Sequence, residues 1–190
     1  MFTQPDTLTD RQVADTTSRG WGFDVDTLTY AAVGFGSHHW VATVGNAKWF
    51  VTVDDLDARH RDLDDSRLKI RQRLSAALET AHALQQSGKS FVVAPVTSTA
   101  GSVLENVDDR FVLALYPHIS GRLGSTGRYD SQFERFEVID RLIEIHTSTE
   151  TVKGIVGVDD FSIPSRDRLN IALADLATKA HRSLTGDRRF

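Results

Sequence analysis

The sequence predicts an α+β fold: about five antiparallel strands, one helix inserted between the third and fourth, and a helical segment after them. Three observations carry this expectation. Short β-prone runs separated by glycine-bearing turns occupy residues 28–53. The apolar period lengthens to three or four residues across 66–87, and beyond residue 131 the apolar pattern is helical.

Asp10 to Arg19 reads as a short polar helix closed by Gly20. Leu28 to Val33 is apolar and β-prone, Gly34-Phe35-Gly36-Ser37 forms a turn, and His39 to Val44 alternates as the next strand. Gly45-Asn46 signals a second turn before Lys48 to Val53, so these three strands read as an antiparallel meander. From Ser66 to Ser87, Ile70, Leu74, Leu78, Ala81 and Leu84 mark one face of a helix that ends at Gly88. Phe91 to Val96 and Phe111 to Tyr116 read as two further strands, the second ended by Pro117. After a loop at Gly121–Gly127, a helix is expected from Ser131 to His146, with Phe133, Phe136, Ile139, Leu142 and Ile143 on its buried side. A last helix, Arg166 to Leu184, carries Leu169, Leu173, Leu176, Ala180 and Leu184 on one stripe. The expected division is residues 1–120 and 121–190, with the boundary near Ser120-Gly121.

Composition narrows the function classes. A chain of 190 residues, 40% hydrophobic and 25% charged, can bury a core of its own. Its net charge of −4 and interspersed charges give no basic footprint for a phosphate backbone, so nucleic acid is not an expected partner. Without cysteine there is no disulfide framework, thiolate metal site or cysteine nucleophile. The first residues lack a basic, then apolar, leader, and no apolar run reaches the roughly 20 residues a membrane span needs. A cytoplasmic setting is the expectation.

The order strand, glycine turn, strand, strand, helix resembles the small lobe of kinases. Val33-Gly34-Phe35-Gly36-Ser37-His38-His39-Trp40, Trp49 to Leu56, Phe91-Val92-Val93-Ala94-Pro95, Leu115-Tyr116-Pro117-His118-Ile119-Ser120-Gly121, and Arg141 to His146 follow in that order. These stretches resemble the aminoglycoside (spectinomycin-like) phosphotransferase family. Together they cover most of residues 20–165. The resemblance implies a kinase-like small lobe on residues 1–120 and the start of a helical large lobe on 121–190, with ATP and Mg²⁺ as the cofactors.

By that resemblance Gly34, Gly36, Ser37 and His38 would lie over ATP phosphates, because glycine lets backbone N–H groups approach an anion closely. A plain hairpin would use the same glycines. Leu115, Tyr116 and His118 fall at the hinge, where main-chain groups would read an adenine edge. A buried strand end followed by a turn would hold the same residues. Thr52 stands where the family places a phosphate-binding lysine, and its hydroxyl carries no charge. Lys48, an even offset away, shares its face but sits far along the strand. Glu79 reads as a solvated helix residue, so the usual lysine–glutamate pair has no counterpart.

Several look-alikes are set aside. His60-Arg61-Asp62-Leu63 spells the opening of a protein-kinase catalytic loop, but position 67 is Arg67 instead of asparagine and the motif precedes the hinge. Asp54-Asp55-Leu56-Asp57 reads as solvated loop charge, and not as a metal site. His38 and His39, adjacent on a strand, point to opposite faces and cannot easily share an ion. His146 reads as a packed core histidine. No catalytic residue or metal ligand is assigned: residues 121–190 contain no H-G-D-x-x-x-x-N loop, and the one late Gly-Asp is Gly186-Asp187.

The expectation is therefore a phosphotransferase-like chain that stops before its catalytic loop, is inactive alone, and binds Mg-ATP only at about the millimolar level or weaker, about −4 kcal/mol. A non-catalytic nucleotide- or protein-binding module, or one half of a split kinase completed by a partner, remains open beside it. The apolar stripes after residue 131 call for cover, expected from a homodimer through the C-terminal helices or from a partner supplying the large lobe.

Overall fold

The computed structural model describes residues 3–61, 64–121, 129, 131–157 and 165–186, with side chains described as far as residue 176. The chain divides into two compact units, Met1–His60 with Ser66–Gly157, and Arg61–Asp65 with Val158–Phe190. The expected boundary near Ser120-Gly121 falls beside residues 122–128, which lie outside the described residues.

The first unit is built on a five-stranded sheet. Its elements are α1 (Asp10–Trp21), β1 (Thr27–Ala31), β2 (His38–Val44), β3 (Ala47–Asp55), α2 (Arg67–Gln86), β4 (Glu105–Asn106), β5 (Phe111–Pro117), α3 (Gln132–His146) and α4 (Thr149–Val152), with a single 3₁₀ turn at Leu56–Arg59. The spatial order is β1-β2-β3-β5-β4, and every pairing is antiparallel. Register is fixed by pairs such as Tyr30↔Trp40, His39↔Thr52 and Thr52↔Ala114.

Two apolar layers sandwich the sheet because successive strand residues face opposite ways. On the first face Trp40, Ala42, Val51, Val53, Leu113 and Leu115 pack with Leu8 and Val13, so α1 lies over this side. On the second face Val112 and Ala114 pack with Leu56, Ile70, Val103 and Leu104, joined by Leu74 and Leu78 of α2. β5 is buried on both faces from Phe111 to Leu115, which is why its sequence is an unbroken apolar run and not an alternation.

Local chemistry sets the helix ends. Thr9 and Gln12 form a reciprocal capping box at the start of α1, and Ser131 and Glu134 do the same for α3. Ser66 caps α2 through the N–H of Lys69. α1 runs past the expected stop at Gly20 and ends on Gly22. Gly20 is buried inside the helix because a Cβ there would come within 2.9 Å of Glu105 Cγ.

Three expectations are corrected. Residues 91–96 do not form a strand: only Val96 bridges to Leu115. Pro95 has no N–H to give, and side chains meet the run's carbonyls: Gln85 Nε2 donates to Val92 at 3.1 Å and Trp21 Nε1 to Val96 at 3.0 Å. The strand in that position is instead the polar pair Glu105–Asn106. Second, α3 has no buried residue; Phe133 is 70% exposed, and Phe136, Ile139, Leu142 and Ile143 each about half. Third, His146 is exposed and not packed, on a helix with no buried residue, whose Arg141 lies over the ring of Phe91 at 5.1 Å.

In the second unit, α5 (Arg166–Gly186) exposes Leu169, Ile171, Leu173 and Leu176. The side chains of Ala180 and Leu184 lie outside the described residues. No described helix is long and apolar enough to cross a membrane.

Candidate functional site

α2 covers only part of the second sheet face. Where its cover ends, Phe50 and Thr52 of β3, Tyr116 and Pro117 of β5, and Val93, His118 and Ile119 enclose a pocket of about 460 Å³. That volume falls in the range of about 300–1,000 Å³ typical of small-molecule sites. The walls are mainly apolar and aromatic. Burial pushes the Tyr116 phenol up to about 12, so the ring sits in the wall as a neutral hydroxyl.

Further along the same face, β3 carries Asp54 two residues beyond Thr52, and the turn between β1 and β2 closes over it. Gly34 and Gly36 have φ of 76° and 84°, the left-handed region that glycine enters without a Cβ clash. A side chain on Gly34 would come within 2.9 Å of His39 Nε2. Ser37 Oγ donates to Asp54 Oδ1 at 2.7 Å. Arg59, on the 3₁₀ turn after β3, donates from Nε to the same oxygen at 2.8 Å, and from Nη2 to the Gly36 carbonyl at 3.1 Å and to Ser37 Oγ at 2.9 Å. Nη2 also donates to Asp54 Oδ1. The arginine therefore ties the glycine turn to the end of β3.

His39 also lies on this face, stacked on Phe50 with centroids 5.1 Å apart. Its Nδ1 is buried and meets no partner among the described residues, and burial holds its pKa below the ordinary histidine value. A second ion pair anchors the strand end: Arg110 donates to Asp55 from Nε at 2.9 Å and from Nη2 at 2.7 Å, and these bonds hold the Asp55 carboxyl below the usual carboxylate range.

The expected site residues separate into three groups. Thr52, Tyr116 and His118 line the pocket together. Gly36 and Ser37 belong to the Arg59–Asp54 cluster, with Gly34 beside His39. His38 and Leu115 go elsewhere. His38 is buried on the first face, its Nδ1 3.3 Å from the Tyr30 hydroxyl, and Leu115 is wholly in the core. The main-chain groups expected to read a base edge are partly engaged, since the Leu115 carbonyl accepts from Val96 and the His118 N–H donates to Lys48.

Asp54 and Asp55 correct the expectation of solvated loop charge. β3 extends to Asp55, and the two residues are 4% and 9% exposed, each held by an arginine. Sequence reading missed Arg59 and Arg110 altogether. An acidic pair directly after an apolar strand was the available signal that cations must be brought to it. Among the described residues no group of three or more His, Asp or Glu side chains could hold a metal ion, and the Asp54 and Asp55 carboxylates are each engaged by an arginine.

No family model and no curated protein matches the sequence. Among solved structures the fold is similar to the crystal structure of a spectinomycin phosphotransferase in complex with ADP and spectinomycin, with a TM-score of 0.60 and 15% identity. The likeness covers 84% of this chain and 44% of that one, so this chain spans less than half of the phosphotransferase's length. At such identity it is the fold that is shared: a five-stranded antiparallel sheet with its helix, as in a kinase-like small lobe.

Proposed function

We propose that the open half of the second sheet face binds an adenine nucleotide, and that the chain contributes the nucleotide-binding lobe of a small-molecule phosphotransferase. One observation carries this reading. The apolar pocket at Thr52, Tyr116 and His118 and the polar cluster at Ser37, Asp54 and Arg59 lie along one face of one strand. From Phe50 to Asp54 that strand rises about 13 Å, which sets the pocket and the polar cluster apart along it. The pocket takes the base, and the Gly34–Ser37 turn takes the phosphates. Likeness of fold to a phosphotransferase with bound ADP supports the assignment.

Binding and turnover separate here. Phosphoryl transfer depends on positioning and on neutralising charge with a base and Mg²⁺ ligands. The described residues offer no such set, so turnover requires groups from other residues of the same polypeptide or from a second one. The purified chain should bind nucleotide without releasing phosphate. Calorimetric titration with adenosine, ADP and ATP tests the reading, alongside Val93→Trp, which fills the pocket from an exposed wall. Wild type should bind ADP and ATP at about the millimolar level and adenosine more weakly, and the variant should bind none of them. A wild type silent toward all three at millimolar concentration refutes the proposal, as does equal binding by the plugged variant.

The exposed apolar faces of α3 and α5 favour a second role, self-association. Phe133, Phe136 and Ile143 on α3, and Leu173 and Leu176 on α5, are each more than half exposed. A two-fold dimer through these C-terminal helices would bury them from both copies. Light scattering should give twice the chain mass for wild type and a monomer for Leu173→Asp/Leu176→Asp. A monomeric wild type at high micromolar concentration excludes the dimer.

A further inference from the structure

We propose that Arg59 is the residue that meets the nucleotide's phosphates, held for that task by Asp54. The inference deepens the nucleotide reading above and rests on it. Thr52 brings no charge to the face, and Lys48 lies at the far end of β3, exposed beside the β2–β3 turn. Among the described residues Arg59 is the cation that touches the glycine turn, through the Gly36 carbonyl and the Ser37 hydroxyl.

The pair is built asymmetrically. The Asp54 side chain is 6% exposed and the Arg59 side chain 35%, so the negative end is buried and the positive end faces water. The carboxylate engages one edge of the guanidinium, Nε and Nη2. Among the described residues Nη1 donates to nothing. A planar guanidinium clamped along one edge holds its two remaining N–H groups, both on Nη1, in a fixed direction, ready to donate to phosphate oxygens. Holding the cation in advance also removes the entropy loss of ordering a free arginine on binding. Asp54 is thus a positioning residue and Arg59 a binding residue. The chemistry of the ligand end is an oligophosphate, as in a nucleoside diphosphate or triphosphate.

The test compares adenosine with ADP by calorimetry on wild type, Arg59→Lys and the double variant Arg59→Met/Asp54→Asn. The double variant removes both charges and so leaves no buried carboxylate unpaired. Wild type should bind ADP at least about tenfold more tightly than adenosine, as a charged hydrogen bond to phosphate provides. The double variant should bind adenosine as wild type does and lose that increment, while Arg59→Lys keeps part of it. A double variant that retains the ADP-over-adenosine ratio overturns the assignment, and so does a wild type that binds adenosine with no preference for ADP. Wild type binding neither ligand defeats the nucleotide reading itself. Should the double variant fail to melt cooperatively, Arg59→Lys decides: its flexible point charge lacks the clamped planar donors of Nη1, and an undiminished increment refutes the role.

Discussion

The seating of α1 on the sheet can be measured through one hydrogen bond. Trp40 is wholly buried at the centre of β2, edge-on to Tyr30 with ring centroids 5.0 Å apart, and its Nε1 donates to Asp10 Oδ1 at 2.8 Å. Asp10 is the first residue of α1. Trp40→Phe removes the outer ring from a packed layer, at about 1–2 kcal/mol on the scale of large-to-small core changes. It also removes a hydrogen bond to a carboxylate, about 1.5 kcal/mol, near the low end because Asp10 is exposed and water replaces the indole. The expected loss is about 3 kcal/mol, a large part of the roughly 5–15 kcal/mol that holds a domain together. Asp10→Ala should lose less, and the pair should couple by about 1–1.5 kcal/mol in a double-mutant cycle. Urea unfolding followed by far-ultraviolet circular dichroism gives all four stabilities, provided the slope with denaturant is unchanged. A coupling below about 0.5 kcal/mol refutes the claim that this bond fastens α1 to the sheet. Pocket binding should survive both substitutions and their combination, because Trp40 faces the opposite side from Thr52.

Three further outcomes follow from the site. Tyr116 should ionise about two units above its ordinary 10.0, visible as delayed phenolate absorbance. Because the raised pKa belongs to the folded state, its stability contribution is complete below pH 10 and is lost as pH rises toward 12. His39→Phe keeps the stack on Phe50 and deletes the unpartnered Nδ1, so it should be neutral or stabilising by about 1 kcal/mol. The depressed His39 pKa makes wild-type stability fall as pH drops below 6.5 toward the folded value, and that slope should shrink in His39→Phe; an unchanged slope removes the argument. Gly34→Ala, at φ 76° and facing His39, should lose about 1–2 kcal/mol by thermal melting, and wild-type stability in that variant would contradict the turn geometry.

How much was legible depended on whether the determining contacts were local. β2, β3 and α2 could be read because their periodicity is written within a dozen residues of each position. The end of α1 could not. Gly20 looks like a stop signal, yet its role is to admit Glu105 from 85 residues downstream, and the real stop is two residues later. Phe91–Val96 has strand composition, but Gln85 and Trp21 take the carbonyls that a neighbouring strand would have needed. The pair Glu105–Asn106 gives no apolar signal at all. At the site, Thr52, Tyr116 and His118 came into view only through family likeness, since nothing in their own chemistry singles them out. Arg59 and Arg110 were invisible because their meaning comes from buried aspartates, one of them 55 residues from its partner.

The placing of β5 between β3 and β4 has a consequence for how the chain comes off the ribosome. Thr52 and its partner strand are 62 residues apart, so at about 5–20 residues per second the β1–β3 meander waits roughly 3–12 s for its neighbour. Throughout that interval the outer edge of β3 presents unpaired amides beside Trp49 and Val51, and α1 has no Phe111, Leu113 or Leu115 to settle on. An unpaired edge of this kind invites strand addition by another nascent chain. The yield of soluble protein should therefore respond to elongation speed across residues 56–110, even for substitutions that leave the finished molecule's stability unchanged.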